Sequence, residues 1–283
     1  MLSLANFVTA GAVRLSSGPH RDRMRRDAES LLLHVLGKNS AWLLAHADET
    51  LSEEDEAQYT ALIERRFRGE PMQYITGECE FYGLPFRVTP DVLIPRPETE
   101  HLVEKVLDYA SRLQQPRIVD VGTGSGAIAV ALAHKLPSAT VTAIDLSLGA
   151  LEVARLNSQR LGFADRIRFL HGDLLAPVAE ERFEFIVSNP PYVPNTERAL
   201  ISVEVREHEP AVALFGGEDG LAIFRRLIPS AYAALVQGGF LMFEFGFSQM
   251  SDVESLLKSA GFQNIEITHD LQGIPRVASA QKI

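Results

Sequence analysis

The sequence predicts an α/β protein: a doubly wound, mostly parallel sheet, preceded by a small helical domain. Three observations carry this. From Arg117 onward, short apolar runs alternate with longer stretches of helical spacing, as strands and crossover helices do in parallel sheets. Before about residue 80 the apolar spacing is helical and nothing reads as a buried strand. The length, 283 residues with 46% hydrophobic and 23% charged, suits one large domain with a smaller partner.

The helical part comes first. Leu31, Leu32, Val35 and Leu36 share one helix face, and Gly37 supplies a stop. Ser52 opens a second helix as N-cap, with acidic residues in its first turn; it runs through Leu62, Ile63 and Phe67 to Gly69. Pro71 opens a short third one. Phe81 to Val88 reads as a hairpin or extended connector punctuated by Gly83 and Pro85. A helix follows from Glu98 to about Leu113. The strand candidates are Ile118–Val121, Val141–Ile144, Ile167–Leu170, Phe185–Val187 and Phe240–Phe245. Helices are expected between most of them, at Ile128–Leu136, Leu148–Leu161 and Leu221–Leu235. Two last strands, near Ile265–Thr268 and Arg276–Ala280, are joined by a turn at Gly273 too short for a crossover, so they should pair antiparallel.

Composition narrows the function. A formal net charge of −10 provides no general attraction for a nucleic acid backbone. The one cysteine, Cys79, excludes an internal disulfide and a multi-cysteine metal site, and fits a reducing cytosol. The N-terminus has no signal-peptide pattern, and no run approaches the roughly 20 apolar residues that cross a membrane. A cytoplasmic protein is expected. His34, His101, His171, His208 and His269 are scattered without metal-ligand spacing. Arg21, Arg23, Arg25 and Arg26 form one basic cluster and Arg65, Arg66 and Arg68 another; both read first as solvated helix faces.

Two motifs carry chemistry. Asp120-Val-Gly-Thr-Gly-Ser-Gly126 joins a strand to a helix, and its glycines allow a tight turn and close approach of a ligand. Asp145 ends the next strand, where a carboxylate can accept from both hydroxyls of a ribose or can cap the helix near Leu148. This pair indicates an adenosine-containing cofactor and does not separate NAD from S-adenosylmethionine. The second motif, Asn189-Pro190-Pro191-Tyr192, follows the fourth strand at the carboxyl edge of the sheet. Two prolines fix the backbone and remove two donors. The Asn189 side-chain oxygen and the Pro190 carbonyl remain as acceptors for a planar NH2 group, and Tyr192 offers a ring for stacking.

A glycine loop after strand one, an acid after strand two and Asn-Pro-Pro-Tyr after strand four resemble the class I S-adenosylmethionine-dependent methyltransferases acting on planar nitrogens. Within these, the chain resembles the protein-(glutamine-N5) methyltransferases of peptide chain release factors, the PrmC or HemK family. The resemblance rests on Arg26-Asp-Ala-Glu29, Gly69-Glu-Pro-Met-Gln-Tyr74, Leu93-Ile-Pro-Arg-Pro-Glu-Thr-Glu100 and Glu209-Pro-Ala-Val-Ala-Leu214 leading into Gly216-Gly-Glu-Asp-Gly220. It runs over nearly the whole chain.

The resemblance implies a seven-stranded sheet with an antiparallel C-terminal hairpin. It also implies a helical substrate-recognition domain over 1–80, a connector hairpin over 81–97 and a catalytic domain over 98–283. Gly122, Thr123, Gly124, Ser125, Gly126 and Asp145 would hold S-adenosyl-L-methionine, together with Asn189 and with Leu174, which stands where relatives often carry an aromatic. The product would be S-adenosyl-L-homocysteine, and no metal is expected. Asn189, Pro190, Pro191 and Tyr192 would hold the substrate glutamine, with Asn189, Pro190 and Tyr192 as the catalytic group. The partner would be a class I release factor, entering by its Gly-Gly-Gln loop, with no membrane and no direct nucleic acid contact. Leu93 and Pro95 are placed as an apolar wall; Glu98 and Glu100 fit first-turn helix acids and ligand contacts equally. The rivals are an adenine-N6 nucleic acid methyltransferase, an NAD-dependent oxidoreductase and a non-catalytic nucleotide-binding module.

Overall fold

The computed structural model describes residues 2–283. The chain forms two compact units: Met1–Gly77 with Ile201–His208, and Glu78–Leu200 with Glu209–Ile283.

The first unit is helical: α1 (Leu4–Leu15), α2 (Met24–Leu36), α3 (Ser40–Ala45), α4 (Glu53–Phe67) and α5 (Met72–Thr76). Gly37 ends α2 in the left-handed conformation, and the Ser52 hydroxyl accepts from the Asp55 N–H at 3.1 Å to open α4. Leu4, Val8 and Leu15 of α1 pack with Leu31 and Leu32 of α2 and Leu62 and Ile63 of α4. One expectation is corrected within this core. Arg66 is not on a solvated face: it is 1% exposed, and its guanidinium donates to Asp27 at 2.6 Å and Glu204 at 2.8 Å. Glu204 lies far along the chain, so this buried ion group ties Ile201–His208 into the helical unit.

The second unit opens with β1 (Glu78–Phe81) and β2 (Leu84–Arg87), paired antiparallel across a turn at Tyr82 and Gly83, both with positive φ as a tight hairpin turn requires. The hairpin therefore starts at Glu78, and it is no free connector: Phe81 and Phe86 are buried in the main core. Then follow α6 (Glu100–Ala110), β3 (Arg117–Val121), α7 (Ala127–Lys135), β4 (Thr140–Asp145), α8 (Leu148–Leu161), β5 (Ile167–His171) and β6 (Phe183–Ser188). After the excursion carrying α9 (Val203–His208) and α10 (Ala211–Leu214) come α11 (Ala222–Ala234), β7 (Leu235–Glu244), α12 (Met250–Ser259), β8 (Gln263–His269) and β9 (Pro275–Gln281).

All seven expected strands form one sheet, in the order β5-β4-β3-β6-β7-β9-β8. The first five run parallel and β9 pairs antiparallel with both β7 and β8. Strand β7 begins at Leu235, earlier than expected, with a register shift opposite Phe183–Phe185 near Gly238 and Gly239. One face of the sheet is covered by α6 and α7, the other by α11 and α12. The chain reverses direction of winding between β3 and β6, and it is at such a switch point that open α/β sheets bind ligands.

Candidate active site

The carboxyl ends of β3, β4 and β6 open onto a cavity of about 390 Å³, within the range of small-ligand sites. On the β3 side, Gly122, Thr123, Gly124 and Ser125 line it. The loop is held from within. The Gly122 and Thr123 N–H groups donate to the Ile144 carbonyl at 2.8 and 3.0 Å, and the Thr123 hydroxyl donates to Asp120 at 2.6 Å. Asp120 is fully buried, and burial pushes its carboxyl up to about 7, against the pull of the Thr123 hydroxyl and with the charge of Asp145 adding to the rise. Gly126 has φ of 81° and does not line the cavity; a Cβ there would lie 3.1 Å from the Cβ of Ala154, so its role is the close packing of α7 on α8.

Asp145 stands on the cavity wall. Its two oxygens accept from the Gly124 and Ser147 N–H groups, both at 2.8 Å. The cap of α8 is Ser147, whose hydroxyl accepts from the Ala150 N–H, so Asp145 is not the N-cap. Leu174 also lines the cavity, in the left-handed conformation (φ 49°) that costs a leucine roughly 1–2 kcal/mol. Such strain persists where surrounding structure enforces it, and it collects at functional sites. The preceding Asp173 is paired with Arg226.

On the β6 side, Asn189, Pro190 and Pro191 line the cavity, facing Leu93 and Pro95 of the segment before α6. The Asn189 NH2 donates to the Thr99 hydroxyl at 3.1 Å. Its carbonyl oxygen is left as the acceptor end. Tyr192 is not on the wall: its hydroxyl donates to Glu244 at 2.9 Å, and its ring packs against the core under α11 and α12. Burial, then the adjacent Glu244 charge, raise this phenol far above its usual range. The turn itself is clasped from behind. Gln249 donates to the Tyr192 carbonyl at 2.9 Å, and a Cβ on Gly220 would sit 2.2 Å from that same oxygen. Glu100 accepts from the Tyr82 N–H at 2.7 Å and serves the hairpin turn; neither it nor Glu98 lines the cavity.

Two residues of this arrangement were given no role by the sequence, although Thr99 lies within the Leu93–Glu100 motif and Glu244 within the Phe240–Phe245 strand. Thr99 is 4% exposed and Glu244 2%, and they bond each other at 2.6 Å. A glutamate closing the apolar run Leu241-Met-Phe-Glu244 is the signal that would have found it, because a carboxylate buried in a strand needs partners. Among the described residues, no group of three or more His, Cys, Asp or Glu side chains is placed to hold a metal ion.

The comparisons with known proteins agree with this geometry. Residues 10–77 match the PrmC N-terminal domain and residues 98–205 the methyltransferase small domain. The chain is 44% identical to the release factor glutamine methyltransferase of Bradyrhizobium diazoefficiens, over 96% of this chain and 92% of that protein. It is 43% identical to the protein of the same name from Koribacter versatilis, over 91% of each. A methyltransferase from Pyrococcus furiosus superposes over 71% of this chain and 90% of its own, at 19% identity and a TM-score of 0.53. The hMettl16 catalytic domain does so over 82% of each chain, at 18% identity and a TM-score of 0.58. These two likenesses speak for the fold. With two relatives this similar along almost their full length, and with a loop, acid and Asn-Pro-Pro-Tyr turn gathered on one cavity, the chain belongs to the release factor glutamine methyltransferase family.

Proposed function

We infer that this protein transfers the methyl group of S-adenosylmethionine to the side-chain amide nitrogen, N5, of a glutamine in a peptide chain release factor. Family membership supports the reaction; the observation that supports the residue roles is the orientation of Asn189, whose carbonyl is turned away from Thr99 while its NH2 is engaged.

The residues on the wall suit the cofactor. Asp145 keeps acceptor capacity beside the glycine loop, and Ile144, Leu146 and Leu174 offer apolar surface for a purine. Bound there, S-adenosylmethionine supplies a methyl group already activated on a sulfonium and becomes S-adenosylhomocysteine. The acceptor is the difficulty, since an amide nitrogen shares its lone pair with the carbonyl. The Asn189 oxygen and Pro190 carbonyl accept the two hydrogens of the substrate NH2, orient its nitrogen and stabilise the positive charge that grows on it. Pro191 keeps the turn rigid, and Tyr192 anchors it through Glu244. The proton leaves to water after transfer.

The substrate glutamine sits in a Gly-Gly-Gln loop, whose slim backbone enters the cavity where side chains would clash. A glutamine side chain alone is common, so recognition of the factor falls to another surface. The helical unit, with its Arg21, Arg25 and Arg26 flank, binds the body of the factor. The site of action is the cytoplasm, and no helix among the described residues is long and apolar enough to cross a membrane.

The test is transfer of labelled methyl from S-adenosylmethionine to release factor, DNA and tRNA in parallel. Label confined to a release-factor glutamine is expected; label on nucleic acid in its place overturns the reading. Charge reversal at Arg21 and Arg25 should slow methylation of intact factor and leave that of a short Gly-Gly-Gln peptide unchanged.

A further inference from the structure

An asparagine amide has two ends of nearly equal size. A half-turn about its last torsion exchanges an acceptor for a donor, and the cavity would then show an NH2 to its substrate. What lies behind Asn189 decides between them. Its NH2 is 3.1 Å from the Thr99 hydroxyl. That hydroxyl has one hydrogen, and gives it to Glu244 at 2.6 Å. The other oxygen of Glu244 takes the hydrogen of Tyr192 at 2.9 Å. While Glu244 is ionised it accepts only, so Thr99 turns its lone pairs to Asn189, and Asn189 presents its NH2 to Thr99 and its carbonyl to the cavity. Glu244 is buried, and Thr99 is 4% exposed at the cavity wall.

We propose that Glu244, acting through Thr99, is a positioning residue that fixes the hydrogen-bond polarity of Asn189 and so selects a substrate amide over a carboxylate. This rests on the amide-methyltransferase reading of the site. A glutamate side chain in place of glutamine would bring its own oxygens against the Asn189 and Pro190 oxygens and be repelled. With Asn189 reversed, that discrimination weakens and the acceptor pair is lost.

Polarity also depends on the ionisation of Glu244. The groups facing it are Tyr192 and Thr99 in contact, with Arg276 and Glu98 acting at longer range. Burial raises its carboxyl above the ordinary value, opposed by the two hydroxyl bonds and by Arg276. Once protonated, Glu244 has a hydrogen of its own for Thr99. The Thr99 hydrogen is then free to turn to the Asn189 oxygen, and turnover should fall on the acid side.

The experiment compares the wild type with Thr99→Val, Thr99→Ser and Glu244→Gln in the full chain. Thr99→Val removes the hydroxyl at nearly constant volume; Thr99→Ser keeps it. Glu244→Gln keeps the shape and can donate to Thr99, which reverses the chain of bonds. Turnover is measured on intact release factor, and inhibition by Gly-Gly-Gln and Gly-Gly-Glu peptides is measured alongside. Thr99→Val and Glu244→Gln should remain folded and lose roughly 10–100-fold in kcat, the scale seen for partners that orient a functional ligand. Both should favour the glutamine peptide less than the wild type does, Thr99→Ser should restore both properties, and Glu244→Gln should lose the acid limb of the pH profile. Wild-type kcat and undiminished peptide preference in Thr99→Val would overturn the proposal, as would an equal loss in Thr99→Ser. A wild type that methylates no release-factor glutamine would instead overturn the functional reading on which the proposal rests.

Discussion

Replacing Asp120 by asparagine should flatten the pH dependence of stability. Asp120 is fully buried under the glycine loop, and its carboxyl is pushed from 3.8 up to about 7. Between those values the folded chain holds a proton that the unfolded chain has released. The stability that Asp120 contributes is therefore full below about pH 4, declines as pH rises through the window to about 7, and is gone above it. Each pH unit in the window is worth about 1.4 kcal/mol, so the whole loss is about 4 kcal/mol. Asparagine mimics the neutral acid and still accepts from Thr123, so the variant should lack this slope. Denaturant unfolding of both proteins from about pH 4 to about pH 8 measures it, with a constant denaturant slope as the control. Far-ultraviolet circular dichroism is the proper probe, since the single tryptophan, Trp42, lies in the helical unit. The variant should gain roughly 4 kcal/mol on the wild type across the range. A stability difference that stays constant with pH would show that Asp120 is ionised in the fold and sink the reasoning.

Three further outcomes follow from named contacts. Asp145→Ala removes two charge-assisted bonds, to Gly124 and Ser147; it should weaken S-adenosylmethionine binding in calorimetry and destabilise the fold by roughly 1.5–3 kcal/mol. Unchanged cofactor affinity would leave Asp145 as a tie of the loop alone. Asn189→Ala should lower methyl transfer by roughly 100-fold or more, as for loss of one preorganised polar group; near-normal turnover would refute the acceptor pair. Arg66→Met strands Asp27 and Glu204 beside each other and should cost roughly 3–5 kcal/mol in unfolding of the helical unit, read by Trp42 fluorescence.

The sheet was legible because its central strands, β3, β4 and β6, are buried on both faces and read as mostly apolar runs, Ile118–Val121 and Val141–Ile144 among them. Helix α1 was not, since Leu-Ala-Asn-Phe-Val-Thr-Ala-Gly-Ala-Val-Arg-Leu mixes a glycine with β-branched residues and shows its stripe only once packed against α2 and α4. Nor was the excursion after Pro194, whose short helices lack periodicity and whose part Ile201–His208 is held by Arg66, a contact no local pattern encodes. In the site, the backbone motifs were visible because glycine and proline announce their conformations. The bonds that aim Asn189 were invisible, because Thr99 and Glu244 lie 145 residues apart.

The geometry also bears on what the sequence left open at the glycine loop. A dinucleotide needs free N–H groups there for its pyrophosphate. Here the Gly122 and Thr123 N–H groups are committed to Ile144, that of Gly126 to Thr123 and that of Gly124 to Asp145. Of the cations near the wall, Arg96 is paired with Glu209 and Arg226 with Asp173. Asp145 and Asn189 both line the cavity, and the Asn189 NH2 is committed to Thr99, which leaves its oxygen as the acceptor end. An anionic ligand would meet carboxylate where it needs donors. On the proposed reading, a sulfonium cofactor with ribose hydroxyls and a substrate that brings an NH2 group would meet groups that want hydrogens and positive charge. On that reading the same polarity serves both halves of the reaction. On the β4 side it is carried by a carboxylate, and on the β6 side by a neutral amide that a buried glutamate holds in one of its two orientations.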